Sequence, residues 1–352
     1  MDEAGDLAES LRLIRDSAAA IVPRADLKRV RRLRFIEPGF DRATWQEMCT
    51  LGWPGLALPE AQGGSGLGMR AFATLAEELG AGLVPEPLIP SAMAARVLAG
   101  PPLTALLGGE SVVIPAWQER PNSLETNAET RLEGNRLTGK KLFIPMASGA
   151  DLFVVSAVGG LALIPRQAPG VHLSLERAQD GGFFGTLALD CVPIAVLPGD
   201  FVRALEEATL ATAAYLLGVM RQAFAITLDY LRTRVQFGRP IGSFQALQHR
   251  AADLKIQLEL TRASVASAAA TLDADAPLAL CRAAVSRAKA RAADAALMIT
   301  RQAIQLHGGI GYTDEYDIGL FLRKTMVLAN LYGSAALHRA RYAALLPEEP
   351  DG

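Results

Sequence analysis

Cysteine is scarce in this sequence, aromatic residues are sparse, and charge of neither sign gathers into a stripe. The three cysteines, Cys49, Cys191 and Cys281, are distant from one another and form no Cys-x-x-Cys pair. That argues against a zinc site or a disulfide framework and fits a reducing compartment, with the cytoplasm as the default. The four histidines, His172, His249, His307 and His338, show no ligand spacing, so no metal is assigned. Thirty-five Lys and Arg are interspersed with 37 Asp and Glu for a net charge of -2, which leaves no electrostatic footprint for nucleic acid. The first residues, MDEAGDLAES, are acidic where a secretory leader needs a positive segment followed by an apolar run. No uninterrupted apolar stretch reaches the length of a membrane span, and the chain is expected to be soluble.

What is present is aliphatic. Half of the 352 residues are hydrophobic but only 6% are aromatic, the composition of tightly packed helices with small residues between them. The length implies two or three domains. Through residues 1–108 short amphipathic segments are broken by Gly and Pro, around Leu58 to Gly68 and at Pro85 and Pro87, and a small α domain is expected. Over residues 109–199 β-prone runs replace them: Ser111 to Ala116, Asn135 to Ile144, Asp151 to Val158, Leu161 to Pro165 and Thr186 to Leu197. Over residues 200–352 the helical period returns. Leu210, Ala213, Leu217, Met220, Phe224, Leu228 and Leu231 share one face, as do Leu247, Ala251, Leu254, Leu258, Thr261 and Val265. Leu278, Cys281, Val285, Ala288, Ala292 and Ile299 make a third such face. Pro277 suits the first turn of that third helix, and a helix bundle is the natural packing. The acidic stretch Pro347 to Gly352 reads as a tail.

Two segments of the bundle carry more information than the rest. The first, Arg232-Thr-Arg-Val-Gln-Phe-Gly-Arg-Pro-Ile-Gly-Ser-Phe-Gln-Ala-Leu-Gln-His249, joins two helices through a Gly and Pro corner. In it Arg234 is a permanently charged fork suited to a pyrophosphate, Phe237 an apolar plate, and Gln245 an amide able to read an adenine edge. The same residues also describe a well-capped interhelical turn with a surface arginine. The second, Gln305-Leu-His-Gly-Gly-Ile-Gly-Tyr312, reads as a helix end at which Gly308 or Gly309 takes the left-handed conformation. Glycines there let backbone N–H groups come close to an anion or a ring, or simply cap the helix.

Together with Leu58-Pro-Glu60 and Gly63-Gly64, these segments resemble the acyl-CoA dehydrogenase family, in the same order and over nearly the whole chain. The resemblance implies a mainly α fold with a central β domain: an N-terminal α domain, a β barrel or sandwich, and a C-terminal four-helix bundle. It also implies FAD, with Arg234, Phe237, Gln245, Gln305, Gly308 and Gly309 forming the half-site that one subunit lends to the adenine and pyrophosphate end of its neighbour's flavin. The family reaction takes an α-proton from an acyl-CoA thioester with a carboxylate while a hydride leaves the β-carbon, so a general base is required.

Both family positions for that base hold other residues here. The Tyr-Glu-Gly-Thr-like stretch matches Leu331-Tyr-Gly-Ser334, which puts Tyr332 in the glutamate's place. The alternative position on the first long helix matches Ala208. Glu207 becomes a candidate only if the helix register slips, since one residue turns a side chain by about 100°. An adjacent pair such as Glu206 and Glu207 is expected on a solvated face. The family's Thr-Glu-Pro-x-Ala-Gly-Ser-Asp-like loop is replaced by Ala116 to Ser123, and its Trp-Ile-Thr-Asn-like strand against the flavin ring by Phe143-Ile-Pro-Met146, where Pro145 lacks an N–H. The pattern resembles the non-catalytic subunit of bacterial heterotetrameric acyl-CoA dehydrogenases of the steroid side-chain type. It implies a catalytic partner subunit in an α2β2 tetramer, an acyl-CoA substrate and an acceptor such as electron-transfer flavoprotein. Two other readings are an active homotetramer with an unrecognised base and a non-enzymatic acyl-CoA or protein-binding module.

Overall fold

A computed structural model describes residues 3–22, 27–126 and 129–345; the expected tail from Pro347 lies outside them. Helices come first: α1 (Glu3–Ile21), α2 (Lys28–Leu33), α3 (Arg42–Thr50), α4 (Gly68–Ala81), α5 (Leu88–Ala95) and α6 (Gly100–Leu107). Strands β1 (Val113–Ala116), β2 (Arg131–Glu133), β3 (Arg136–Pro145), β4 (Leu152–Ala157), β5 (Gly160–Pro165), β6 (Val171–Arg177), β7 (Phe183–Pro193) and β8 (Ala195–Leu197) follow. Then come α7 (Val202–Thr233), the two-residue strands β9 (Val235–Gln236) and β10 (Arg239–Pro240), and helices α8 (Gln245–Asp273), α9 (Leu278–His307), α10 (Ile318–Leu328) and α11 (Ala335–Leu345). This is the helix, sheet, helix order of the mainly α architecture.

The chain forms two compact units that cut across this order. One comprises Met1–Leu27, Ala73–Val84 and Thr209–Gly352; the other comprises Lys28–Phe72 and Pro85–Ala208. Changes of apolar period near residues 108 and 199 therefore mark where helices give way to strands and return, while α5 and α6 cluster with the sheets.

In the sheet-containing unit, two four-stranded sheets run β1-β4-β5-β8 and β2-β3-β7-β6. β1 lies parallel to β4, whereas the other pairings within these two sheets are antiparallel. Strands β2 and β6 were not among the runs singled out in the sequence. β2 has three residues, and β6 has no fully buried position, so the hydrophobic contrast is weak. Arg29 and Glu86 form a two-pronged ion pair, with Nη2 donating to Oε2 at 3.0 Å, and the Asp41 amide also donates to Glu86. The carboxylate is fully enclosed, and it ties the α2 and α3 segments to the start of α5.

In the helical unit, α7 meets the end of α4 through glycines on both sides. A Cβ at Gly218 would lie 1.8 Å from the Glu77 carbonyl oxygen, and one at Gly80 would lie 2.0 Å from that of Tyr215. Tyr215 Oη donates to Val84 O at 2.9 Å, while Arg221 grips Glu78 with both Nη atoms and Arg262 reaches Glu77. From Ala204 to Met220, α7 is buried on every side rather than on one face. By length and composition it is apolar enough to cross a membrane, but 78% of that window is buried inside the protein, which accounts for its apolarity. We expect Gly218→Ala to lower the free energy of unfolding by about 1–3 kcal/mol through overpacking, measured by urea denaturation. An unchanged midpoint would mean that the crossing is looser than these distances require.

Candidate functional site

The Gly and Pro corner between α7 and α8 folds as a miniature hairpin. Gln236 faces Arg239 and Val235 faces Pro240 across it, and Phe237 and Gly238 form the two-residue turn with φ of 52° and 75°. Two positive φ values suit a tight hairpin, but a bulky side chain adopts one at a conformational cost. The Ile241 amide closes the loop onto Arg234 O at 2.8 Å. Gly242 is required at the base, since a Cβ there would stand 2.8 Å from Leu231 O. The Phe244 ring carries the Arg239 guanidinium over its face at 4.2 Å and meets Phe237 edge-on at 6.1 Å. Arg232 to Pro240 are all exposed, as is Gln245, and Phe237 is 91% exposed.

The second segment ends α9. Gly308 caps the helix with φ 65° and ψ -140°, a mirror-image extended conformation open to glycine rather than the expected left-handed one, and its amide donates to Gln305 O. Nothing lies within 4 Å of a Cβ built at Gly308 or Gly309, whereas one at Gly311 would be 2.8 Å from Ile304 O. The first two glycines thus face open space and the third serves packing. Gln305 is exposed.

Three rings bring the two segments together. Tyr230, whose carbonyl accepts the Arg234 amide, stacks on His307 with centroids 4.4 Å apart, and Tyr316 lies 5.0 Å from the other ring partner, His307. His307 Nδ1 lies 2.7 Å from Ala303 O; a carbonyl only accepts, so Nδ1 carries the proton. Burial lowers the pKa of the imidazole despite that bond. His307, read as a packing or turn residue, is a packing residue that links both motifs. Tyr230 and Tyr316 lie outside both quoted segments, so motif reading passed over them.

These residues fit the adenine and pyrophosphate end of a dinucleotide: an exposed fork, an exposed aromatic plate, a free amide, and two glycines whose backbone can be approached closely. The strand expected against a flavin ring does not fit its end in the same way. At Phe143, with φ 53°, the β3–β7 register slips. Pro145 has no N–H, and the Met146 N–H is already donated to Phe183 O at 3.2 Å. Neither residue has an amide to offer.

The loop from Ala116 to Ser123 is fixed from inside. Lys141 Nζ donates to Glu119 Oε1 at 2.7 Å, Ser156 Oγ at 3.1 Å and Trp117 O at 3.3 Å. Glu119 also accepts the Glu129 and Thr130 amides. Burial opposes ionisation of Glu119, but the bonds from Lys141 and Thr130 outweigh it and hold the carboxyl down at about 2. Burial draws the Lys141 ammonium below its ordinary value.

At Tyr332 and Ala208, the two positions matched in the sequence to the family's base, no side chain can accept a proton at neutral pH. Tyr332 is 1% exposed, at φ 57°, and burial pushes its phenol above the usual range, so it stays protonated at neutral pH. Its carbonyl bonds His338 Nε2 at 2.8 Å. The preceding helix end is capped by Lys289, whose Nζ donates to Leu328 O, Ala329 O and Gly333 O at 3.1, 2.9 and 3.1 Å.

Ala208 lines a small cavity of about 20 Å³ with Pro54, Leu58, Phe72, Ile89 and Met93; Arg96 and Glu207 supply its polar wall. Glu206 and Glu207 are buried, against the expectation of a solvated pair. Arginines explain the burial of Glu207: Arg96 Nε donates to Oε2 at 2.6 Å and Arg203 Nε to Oε1 at 3.1 Å. Arg96 is held in turn by Ala57 O at 3.1 Å. With both oxygens engaged by guanidinium groups, Glu207 is built as an ion-pair anchor.

Residues 8–106 match the family described as acyl-CoA dehydrogenase, N-terminal domain, and residues 200–346 match its C-terminal domain. Acyl-CoA dehydrogenase IpdE2 of Mycolicibacterium smegmatis is 32% identical over 337 residues, covering 93% of this chain and 96% of that protein. Among solved structures, the Tcur3481-Tcur3483 steroid ACAD G363A variant superposes with a TM-score of 0.86 at 31% identity, covering 96% of this chain and 98% of that one. The ChsE4-ChsE5 complex from Mycobacterium tuberculosis gives 0.86 at 25% identity, covering 100% and 99%. With the fold, both terminal domains and near-full-length similarity in agreement, this chain belongs to the acyl-CoA dehydrogenase family of oxidoreductases.

Proposed function

We propose that the chain is the supporting subunit of an FAD-dependent acyl-CoA dehydrogenase, lending the adenine and pyrophosphate half-site to a flavin whose ring lies in a catalytic partner. The observation that carries this reading is a division among its own residues. Arg234, Phe237, Gln245, Gln305, Gly308 and Gly309 stand exposed, while Tyr332 and Ala208, matched in the sequence to the family's two base positions, are buried and offer no base. The assembly is an α2β2 tetramer with half the flavin of a homotetramer, working on an acyl-CoA and passing electrons to an acceptor such as electron-transfer flavoprotein. Similarity to a steroid acyl-CoA dehydrogenase complex favours a bulky, steroid-type acyl group. In that complex the flavin supplies the hydride acceptor. This chain's part is to hold the anionic and adenine end, and the α-proton goes to the partner's carboxylate.

The test is to purify the chain alone and co-expressed with neighbouring acyl-CoA dehydrogenase chains, recording the flavin spectrum and turnover. Flavin and turnover only in the mixed complex support the reading. Flavin with turnover in the isolated chain makes it a homomeric enzyme, and flavin in neither makes it a binding module. Within the mixed complex, Arg234→Ala should weaken FAD retention by roughly 1.5–3 kcal/mol, the worth of a charge-assisted hydrogen bond. Equilibrium dialysis of released flavin measures this, and full retention would remove Arg234 from the half-site.

A further inference from the structure

The hairpin after α7 and the glycine turn after α9 are far apart in the chain, and each begins next to the same ring contact. Tyr230 lies four residues before Arg234, and its carbonyl accepts the Arg234 amide at 2.9 Å. His307 immediately precedes Gly308. The Tyr230 and His307 rings are 4.4 Å apart and inclined by only 29°. Tyr316 meets both, at 5.0 Å from His307 and 6.3 Å from Tyr230. One stacked pair thus stands a single residue from the glycines and a single helical turn from the arginine.

The histidine ring is fixed more firmly than stacking requires. It is 3% exposed, and its Nδ1 donates to Ala303 O at 2.7 Å. Its Nε2 is buried and has no hydrogen-bond partner among the described residues. A buried acceptor left unsatisfied destabilises the fold, and a phenyl ring would stack without that cost. What the imidazole adds is the bond to Ala303, which stops the ring from turning. Local rules broken in this way mark positions kept for function. Outside the rings, Arg232 to Pro240 are exposed and nothing lies within 4 Å of a Cβ built at Gly308 or Gly309. The spacing between the guanidinium and the open glycine backbone is therefore set from beneath.

From this arrangement we propose that Tyr230 and His307, buttressed by Tyr316, are positioning residues that hold Arg234 and the Gly308–Gly309 backbone at the separation one dinucleotide pyrophosphate requires. They act through the arginine and the glycines rather than by touching the cofactor. This rests on the half-site reading above. A ligand that bridges two segments binds weakly unless they are aligned beforehand, because ordering them is otherwise part of what binding costs.

The test measures FAD retention by equilibrium dialysis of the co-expressed complex. Tyr230→Leu keeps apolar bulk but removes the ring, and should raise the FAD dissociation constant about tenfold through lost alignment. Tyr230→Phe keeps the ring and should stay within about twofold of wild type. Should Tyr230→Leu fail to assemble, Tyr316→Leu, at a half-buried position, answers the same question by the same measurement. A residue that acts through Arg234 has an effect that does not add to the loss of Arg234. In an Arg234→Ala background, Tyr230→Leu should shift the constant by less than about threefold. An equal factor in both backgrounds would mark a general loosening of the bundle, and an unchanged constant in Tyr230→Leu would leave the ring without a role; either result overturns the inference. The half-site reading fails separately. Full FAD retention in Arg234→Ala alone, or a wild-type complex without flavin, refutes that reading, whereas FAD loss in Arg234→Ala with none in Tyr230→Leu refutes only the positioning role.

Discussion

Replacing Lys141 with methionine should lower the free energy of unfolding by about 3–5 kcal/mol, the penalty for leaving one member of a buried ion pair uncompensated. The Lys141 side chain is fully enclosed and that of Glu119 nearly so. In Lys141→Met the Glu119 carboxylate retains only backbone amides. The double variant Lys141→Met with Glu119→Gln removes the stranded charge and should recover much of the loss, since burial of an ion pair is seldom worth more than an apolar replacement. Urea denaturation of wild type, both single variants and the double variant closes the cycle. A loss below about 1 kcal/mol in Lys141→Met, the range of an exposed pair, would show the pair to be solvated. The acid limb gives a second readout. With the folded carboxyl held at about 2 against an ordinary 4.5, the contribution of Glu119 is complete above pH 4.5 and is lost as pH falls toward 2. This pair also fixes the loop from Ala116 to Ser123 from inside.

Motifs carried by contiguous residues were legible in the sequence. The Gly and Pro corner after Arg234, the helix end at Gly308 and the missing N–H of Pro145 each depend on a residue's own backbone chemistry, which one position declares; that the corner closes as a hairpin at Phe237-Gly238 came only from the structure. Helical periodicity located α8 and α9 for the same reason. What stayed hidden depends on pairs far apart in the chain. Nothing at Glu119 foretells Lys141, nothing at Glu207 foretells Arg96, and nothing at Tyr230 foretells His307. An isolated Glu pair reads as a solvated face until its arginines are found.

The stability of the helical unit should rise with pH between about 7 and 10.5 on account of Lys289. Burial in a site without a carboxylate partner draws its ammonium down to about 7 from an ordinary 10.5, even though three carbonyls at the end of α10 favour the charged form. Between those two values the unfolded chain binds the proton and the folded chain releases it, so raising the pH favours folding. Below 7 both states are charged and the full burial penalty is carried. At 1.36 kcal/mol per unit the gain is on the order of 5 kcal/mol across the window. His338 acts on the acid side. Burial first, then the charges of Lys289 and Arg341, take it to about 3 from 6.5, so its contribution is present above pH 6.5 and is lost as pH falls toward 3. Ser286 Oγ faces both basic groups of α11, at 3.3 Å from His338 Nδ1 and 2.6 Å from Arg341 Nε, and does not titrate. Lys289→Met removes the titrating group while keeping the length of the chain, at the expense of three hydrogen bonds. Its unfolding free energy should be flat over pH 7 to 10 where wild type climbs, so the variant falls further behind as pH rises. Parallel urea titrations at pH 7, 8.5 and 10 measure this. Equal slopes in the two proteins would mean that Lys289 keeps its proton throughout, with the three carbonyls outweighing burial, and that the turn at Tyr332 rests on a permanent charge.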